Sequence, residues 1–332
     1  MQFRTYINIK PSLLKIDHSQ SIFSLGSCFA ENIAAQLKRA KFRVVSSPTG
    51  ILFNPESIAR TIAHFVNADN AETTSKMVRN GLQKSDIDGR WFSYNFHSSF
   101  SDSDADIAAN KMTTAYTIGH KALVDADTVI ITFGTAWVYR HRQSGQVVAN
   151  CHKQPHNIFS RELLSPEHIA ELYEPLLSNG ILSNKRIIFT VSPIRHLADG
   201  LEDNSLSKSI LRVAIGNLVE RFKNVEYFPS FEIQNDELRD YRFYAEDMIH
   251  PSHMAVEYIW QRFSEYTFNE TTRQLIEQLE GISKAAEHRP FDLYSEVHKK
   301  FCVQQIGQIE RINELYPAID FSKEKEAFCR YL

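Results

Sequence analysis

The sequence lacks most of the features that mark specialised classes of protein. Its 332 residues include only 4 cysteines, too few and too scattered for a disulfide framework. No stretch approaches the roughly 20 apolar residues of a transmembrane helix, and the first 20 residues hold no signal-peptide core. The formal net charge of −3 argues against a general nucleic-acid binder. We therefore expect a cytoplasmic protein that binds neither membranes nor nucleic acids.

The rest of the composition is typical of a globular chain. Hydrophobic residues make up 43% and charged residues 23% of the sequence, enough for a sizeable core in one or two domains. We find no internal repeat and no linker of low complexity. Residues 70–120 are more polar than their surroundings. They include an Asp-rich run from Asp102 to Asp106, which we interpret as a solvated loop or a helix start.

Short apolar runs alternate with helical patterns along the chain. Such runs predict buried strands, which we place at 20–26, 42–45, 128–133, 187–191 and 224–228. Apolar residues at helical spacing follow the first and the fourth of these strands, namely Phe29, Ile33 and Leu37, then Leu206, Ile210, Ala214, Leu218 and Phe222. Residues 137–150 alternate around a Ser-Gly pair, which predicts a hairpin.

Strands that alternate with helices favour a doubly wound, mostly parallel sheet in a three-layer α/β/α fold. We assign residues 1–268 to this α/β domain, with an insertion at about 70–120. Residues 269–332 are expected to form a helical extension packed on it, with a break around 288–292. Ligands bind at the carboxyl ends of the strands in such folds. Distinctive turns follow four predicted strands, and we expect these turns to meet in one crevice: Gly26-Ser27-Cys28, Pro48-Thr49-Gly50, Gly134-Thr135 and Ser192 to His196.

The first of these turns contains a candidate nucleophile. Gly26, Ser27 and Cys28 stand between a predicted strand and a predicted helix. The helix dipole at that point lowers the pKa of a thiol and stabilises an anion. A nucleophile and an oxyanion hole would both suit this position. The alternative is a tight turn with a small buried thiol.

A candidate base and its orienting carboxylate lie near residue 250. Asp247 and His250 are three positions apart, so they share one face of a helical turn or of a tight loop. The carboxylate can then accept from Nδ1 and leave Nε2 as the general base. Pro251 suits the first turn of the helix that follows. An Asp-x-x-His pattern is common by itself. Together with a nucleophile near the amino terminus, it completes the set of nucleophile, general base and orienting carboxylate that defines a catalytic triad.

Six segments between about residues 20 and 265 carry a specific resemblance. They read SLGSCFAENIA, SSPTGILFNPESIA, ITFGTAWVY, VVANCHKQP, TVSPIRHLADG and PSFEIQNDELRDYRFYAEDMIHPSHMAVEYIW. In this order they resemble the GSCFA family, which looks like a branch of the SGNH/GDSL hydrolase-like superfamily. The resemblance implies a three-layer fold with flavodoxin-like strand order and ester or acyl-transfer chemistry.

The resemblance also implies roles for single residues. Gly26, Ser27 and Cys28 match the Gly-Asp-Ser of SGNH enzymes, so Cys28 is the expected nucleophile, and a shift of one residue would make it Ser27. Gly50 matches a glycine that donates its N–H to the oxyanion, beside the N–H of Cys28. The Asp-x-x-His pattern of the superfamily matches Asp247 and His250.

The third SGNH block departs from its pattern. Gly134 matches the glycine, but Ala136 stands where an oxyanion-binding Asn is expected. Loss of one such donor typically lowers kcat by on the order of 10²–10³. Thr135, Asn54 and Asn150 are the candidates to replace it.

Three further residues are candidates for substrate binding. Arg195 and His196 either hold a carboxylate or phosphate of the substrate or form a surface turn. His97 either lines the crevice or is a loop histidine.

The sequence thus favours an esterase or acyltransferase without a cofactor, acting on a small-molecule or glycan acyl ester, with a homodimer as one option for its assembly. One alternative is a binding protein for carbohydrate or acyl ligands that performs no reaction. The other is a metal-dependent hydrolase, because His250, His253 and Glu257 could share one helical face near Asp247.

Overall fold

The computed structural model describes residues 4–178, 180–289, 291–292, 295–330 and 332. The strands are β1 (Ser21–Gly26), β2 (Arg43–Ser46), β3 (Gln83–Lys84), β4 (Trp91–Phe92), β5 (Thr128–Phe133), β6 (Trp137–His141), β7 (Val147–Val148), β8 (Phe159–Leu163), β9 (Arg186–Val191) and β10 (Val225–Tyr227). The helices are α1 (Cys28–Arg39), α2 (Pro55–Val66), α3 (Ala71–Asn80), α4 (Ala105–Asp125), α5 (Pro166–Ser178), α6 (Leu201–Arg221), α7 (Ser230–Glu232), α8 (His253–Thr267), α9 (Glu270–Glu287), α10 (Glu296–Leu315) and α11 (Ser322–Cys329). The predicted break at 288–292 falls between α9 and α10, although its residue 290 lies outside the described ranges.

Five strands form a parallel sheet in the order β2–β1–β5–β9–β10. Numbered along the chain, this is the order 2-1-3-4-5 of flavodoxin-like folds. In the registered pairs, Phe23 of β1 lies between Val45 of β2 and Val129 of β5. Every residue of β5 and β9 is buried, as expected for strands covered on both faces. The predicted parallel α/β sheet is therefore confirmed.

The side chains of the sheet alternate between two hydrophobic cores. Phe23 and Leu25 pack with α2, α4, α5 and α6 on one face. Ile22 points to the other face and packs with α1 and α8. This alternation follows from the two-residue period of a strand, and it produces three layers. Phe29, Ile33 and Leu37 are buried on the inner side of α1, as predicted.

The predicted buried face of α6 is confirmed at Ala214 and Leu218, and Ile210 and Phe222 pack against the same core, but the prediction is wrong at the start of the helix. Leu206 is 48% exposed, while the neighbouring Ser207 and Lys208 are buried. The buried stripe continues through Leu211 and Leu218. Polar residues at two inward positions hide the stripe from a pattern based on apolar residues alone.

The polar segment 70–120 contains a core helix. α4 packs Ala108, Met112 and Tyr116 against the sheet on the face of Phe23. Its start is capped by Asp104, whose carboxylate accepts from two backbone N–H groups of the first turn, so the Asp-rich run is a helix start.

A smaller antiparallel sheet has the order β7–β6–β8. β6 and β7 form the predicted hairpin. β8, which the sequence pattern did not reveal, pairs with the other edge of β6.

The last helices share a core of their own. Leu279, Cys302, Ile309 and Phe328 bring α9, α10 and α11 together. Lys41, just after α1, connects them to the sheet: its Nζ lies 2.7 Å from Glu324 Oε1 and donates to the Asp320 carbonyl at 2.9 Å. Within the described ranges, no helix has the length and apolarity needed to cross a bilayer.

Gly26 ends β1 in a conformation that favours glycine, with φ +139°. A Cβ added there would lie 2.1 Å from the carbonyl oxygen of Thr132 in β5. We expect Gly26→Ala to lower the free energy of unfolding by about 3 kcal/mol or more, since φ strain and the clash add. Denaturant unfolding monitored by circular dichroism measures the effect.

Gly281→Ala in α9 is the matched control, because an added Cβ there meets no atom within 4 Å. Its helical position predicts a gain of up to about 1 kcal/mol. Equal stability of the two variants would show that the close approach of β1 and β5 does not constrain this turn.

Candidate active site

The turns after the strands are connected to one another by backbone hydrogen bonds. The Gly26 carbonyl accepts from Leu52 N–H at 2.9 Å. The Phe53 carbonyl accepts from the N–H groups of Gly134 at 2.7 Å and Thr135 at 3.1 Å. The segment after β2 therefore joins the end of β1 to the end of β5. This junction is the point where the strand order reverses, which is where doubly wound sheets bind ligands.

Cys28 is the first residue of α1, and its side chain is half-buried. Its Sγ lies 3.8 Å from Nε2 of His250. Within the described chain, the N–H groups of Cys28 and Phe29 donate to no backbone carbonyl, as expected for a helix start. Burial raises the pKa of the Cys28 thiol, while these two N–H groups and the charge of Lys208 oppose that rise. The thiol is therefore protonated at neutral pH and needs a base.

Ser27 occupies a different environment. Its side chain is buried, and its hydroxyl has no hydrogen-bond partner among the described residues. Its backbone N–H donates to the Thr132 carbonyl at 3.1 Å. The structure thus brings the thiol of Cys28 to the imidazole and leaves the Ser27 hydroxyl inside the turn.

Asp247 orients His250 through three hydrogen bonds. The His250 Nδ1 and the Asp247 Oδ2 are 2.6 Å apart. Oδ1 accepts from the backbone N–H groups of Ile249 at 2.9 Å and His250 at 3.0 Å. The bonds from the His250 N–H, the His250 ring and the Ile249 N–H lower the pKa of Asp247 to about 2. The carboxylate is therefore ionised at neutral pH and fixes Nδ1 as the protonated nitrogen.

The loop that carries this pair closes tightly before α8. Ala245 N–H donates to the His250 carbonyl at 2.8 Å, and Met248 adopts a φ of +57°. Ser252 caps α8, so Pro251 precedes the cap. The prediction that Pro251 stands in the first helical turn is wrong, because the loop uses it in a bridge to Tyr244.

Arg195 supports the same loop from the turn after β9. Its guanidinium stacks over the ring of Tyr244 at 3.9 Å. Its backbone N–H donates to the Ile249 carbonyl at 3.2 Å. Arg195 therefore holds the position of the loop that contains His250. The expected contact with a substrate anion stays a prediction.

His196 is held between the turn and α6. Its N–H donates to Asn204 Oδ1 at 3.0 Å, and its ring packs edge-on against Phe53. Burial, together with the charge of Lys208, lowers the pKa of His196 to about 4. The ring is therefore neutral at neutral pH.

Gly50 does not offer the oxyanion donor that the resemblance implied. Its N–H donates to the Ser47 carbonyl at 2.8 Å and closes the turn after β2. Its φ is +84°, and an added Cβ would lie 2.3 Å from Cβ of His97. The role of Gly50 is thus to let His97 pack on the turn. The His97 ring in turn contacts the Ser99 hydroxyl at 3.0 Å.

The three candidates to replace the missing Asn all serve local structure. The Thr135 hydroxyl contacts Ser207 Oγ at 3.0 Å and accepts from Trp137 N–H at 3.1 Å, so it is occupied by α6 and β6. The other two use their Oδ1 atoms: Asn54 caps α2, and Asn150 accepts from the His152 N–H at 2.8 Å. A donor role for either amide nitrogen stays a prediction.

Lys208 is a site residue that sequence reasoning missed. It is 1% exposed, and its Nζ donates to the carbonyls of Gly134 at 2.6 Å and Ser192 at 2.8 Å. These two carbonyls follow β5 and β9 directly. Burial lowers the pKa of Lys208 to about 7, and the charge of Cys28 opposes that fall. The sequence does contain one indication of this position: Lys208 lies three residues before Leu211, and this spacing puts both on the inner face of α6.

The residues of the metal-dependent alternative do not assemble as ligands. The His253 side chain is 87% exposed and lies 3.7 Å from Glu257, which also accepts from Gln36. The His250 ring instead faces Cys28. Across the described part of the chain, no three His, Cys, Asp or Glu side chains are grouped as ligands for a metal ion.

Comparison with models of protein families identifies the family of this chain. The model of the GSCFA family matches residues 21–263, a range that includes Cys28, Asp247 and His250. The chain belongs to the GSCFA family. A second model, described as the GSCFA domain protein, C-terminal domain, matches residues 268–332, which begin at the end of α8 in this GSCFA protein. A search of curated proteins found no match.

Proposed function

We propose that this GSCFA protein is a cysteine-dependent hydrolase or acyltransferase that acts on an ester or O-acyl group. The observation that carries the proposal is the continuous relay from Cys28 Sγ to His250 Nε2 at 3.8 Å and from His250 Nδ1 to Asp247 at 2.6 Å. A nucleophile, a base and an orienting carboxylate in this order define a triad by geometry.

The acylation step follows from these positions. His250 Nε2 takes the thiol proton while Sγ of Cys28 attacks the carbonyl carbon of the ester. The backbone N–H groups of Cys28 and Phe29 are the available donors to the oxyanion. The tetrahedral intermediate then collapses to a thioester, and the leaving alkoxide takes the proton from His250.

Deacylation reuses the same base. Water or an acceptor hydroxyl gives its proton to His250 Nε2 and attacks the thioester, which releases the acid or the new ester and restores the thiol. Asp247 keeps the imidazole oriented in both steps. Both side chains of the dyad are nearly half exposed, 46% for His250 and 45% for Asp247, so an acyl group on a large molecule such as a glycan could reach them.

An SGNH-like origin of the site is part of the proposal. The flavodoxin-like strand order, the nucleophile directly after β1 and the Asp-x-x-His before α8 support it. Cys28 in place of Ser and Ala136 in place of Asn are the departures. A thiol needs less help from its base than a hydroxyl does, which suits a site with fewer oxyanion donors.

Intact-protein mass spectrometry with p-nitrophenyl acetate tests the proposal. We expect the mass of one acetyl group to be added in the first turnover, together with a burst of p-nitrophenolate, because a thioester accumulates when deacylation is slower. Peptide mapping after an acid quench should locate the acetyl group on Cys28.

The matched control is Cys151→Ala, since Cys151 is another half-buried thiol, and burial raises its pKa to about 11. This variant should acylate like the wild type. A folded protein that binds acyl or carbohydrate ligands but forms no adduct would favour the non-catalytic alternative.

A further inference from the structure

The guanidinium of Arg195 is stacked on a fixed aromatic ring. Its central carbon lies 3.9 Å from the ring centre of Tyr244 and 5.3 Å from that of Tyr241. Tyr244 is only 8% exposed, and its hydroxyl donates to Asn235 Oδ1 at 3.4 Å. Tyr241 is 64% exposed, so the cluster is open to solvent. Stacking uses the flat face of a guanidinium and leaves the N–H donors at its edge available.

The edge of this guanidinium has no hydrogen-bond or ion-pair partner among the described residues. Another stacked arginine of the fold differs in this respect. Arg212 of α6 lies over the ring of Tyr227 at 4.2 Å, but its Nε also forms an ion pair with Glu232 Oε1 at 3.5 Å. Arg195 thus combines a fixed position with forked donors that remain available to a ligand.

This cation borders the loop that carries the candidate base. The backbone N–H of Arg195 donates at 3.2 Å to the carbonyl of Ile249, one residue before His250. Tyr244, on which the guanidinium stacks, forms a bridge with Pro251, one residue after His250. The backbone contact and the stacking partner of Arg195 therefore flank the histidine on both sides.

The carboxylate of Asp247, in the same loop, does not pair with this cation. Its Oδ2 lies 2.6 Å from His250 Nδ1, and its Oδ1 accepts from two backbone N–H groups. A guanidinium with a free edge binds a carboxylate or a phosphate through two parallel N–H bonds, which are stronger than bonds between neutral groups. The geometry next to His250 therefore suits an anionic group.

We propose that Arg195 binds a carboxylate or phosphate group of the substrate, so that the protein acts on anionic acyl esters. This inference rests on the proposed function and names the substrate class that the proposed function leaves open. Arg195 takes no part in the acyl transfer itself. It holds the anionic group of the substrate while His250 and Cys28 react with the ester.

Nuclear magnetic resonance of Cys28→Ala protein with isotope-labelled arginine tests the binding without turnover. We expect the Nε–H resonance of Arg195 to shift and saturate with monomethyl glutarate or with methyl phosphate. The anion that saturates it at the lower concentration distinguishes a carboxylate from a phosphate. Dimethyl glutarate, which carries no charge, should leave the resonance in place. A resonance that neither anion moves would overturn the inference.

The kinetics of two matched esters test whether the anion matters for turnover. Mono-p-nitrophenyl glutarate and its methyl ester share the acyl chain and the leaving group, and they differ by one negative charge. We expect Arg195→Gln to lower the ratio of their kcat/KM values, charged over neutral, by about tenfold or more, because a charge-assisted hydrogen bond is lost. The ratio is informative because a displaced loop would slow both esters alike.

Arg212→Gln is the matched control, since it removes a stacked arginine whose donors are already paired. Its ratio should equal that of the wild type. Arg195→Lys, which keeps the charge without the fork, should recover part of the ratio. A wild-type ratio in Arg195→Gln would mean that Arg195 only supports the loop, and the inference would be rejected.

Anion binding requires no acyl transfer, so the two proposals can fail separately. Saturable binding at Arg195 in a protein that forms no acetyl adduct would retain the anion site and reject the enzyme. An adduct on Cys28 without anion binding at Arg195 would do the reverse.

Discussion

Replacing Cys28 with alanine is expected to lower kcat for p-nitrophenyl acetate by about 10⁴-fold or more, since loss of a nucleophile removes the covalent route entirely. The sulfur is the atom that faces the base, 3.8 Å from His250 Nε2. Initial rates of p-nitrophenolate release measure the effect. Circular dichroism should show an unchanged fold, because Cys28 is half-buried and its replacement is small.

The neighbouring Ser27→Ala variant separates the two possible nucleophiles. The Ser27 hydroxyl is buried and has no hydrogen-bond partner within the described chain, so its removal should leave most of the turnover. An inactive Ser27→Ala beside an active Cys28→Ala would reverse the assignment and require the turn after β1 to open.

Asp247→Asn is expected to lower kcat by about 10³–10⁴-fold, because an amide at this position no longer dictates the tautomer of His250. The substitution is isosteric and retains Oδ1, which caps the loop by accepting from two N–H groups. The loss should therefore appear in kcat, with little change in the unfolding midpoint. The pKa of Asp247, about 2, keeps the wild-type carboxylate ionised across any practical assay range.

Asp240→Asn is the control for this variant. Asp240 also accepts from a backbone N–H two positions ahead, that of Arg242 at 2.9 Å, but its carboxylate pairs with Arg242 instead of the histidine. We expect near wild-type rates. Equal losses in the two variants would mean that loop stability, and not orientation of the imidazole, governs the rate.

The parts of the fold that depend on short-range pattern could be predicted from the sequence. β5 and β9 are continuous apolar runs, and such runs have few alternatives to a buried strand. The approach of Cys28 to the Asp247–His250 pair could also be predicted, since Asp247 and His250 are close in sequence and Cys28 follows a strand. The pairing of two segments 222 positions apart follows from the parallel sheet.

The remaining features depend on contacts that no local pattern contains. Lys208 was missed because a lysine is normally assigned to the solvent side, and because Leu206, two positions earlier, was assigned to the buried face although it is exposed. α4 was missed because small and polar residues weaken its periodicity. The N–H of Gly50 was expected to be free, but the closure of its own turn uses it.

α1 lies between the candidate site and the carboxyl-terminal helices, so it connects the two regions that the family models match. The sulfur lies at the amino end of this 12-residue helix, and Lys41 lies just beyond its other end, joined to Glu324. At 1.5 Å per residue, a helix about 18 Å long thus separates the Cys28 sulfur from the contact with the last helices. The helix that carries the thiol at one end is therefore followed directly, at its other end, by the ion pair that holds α11.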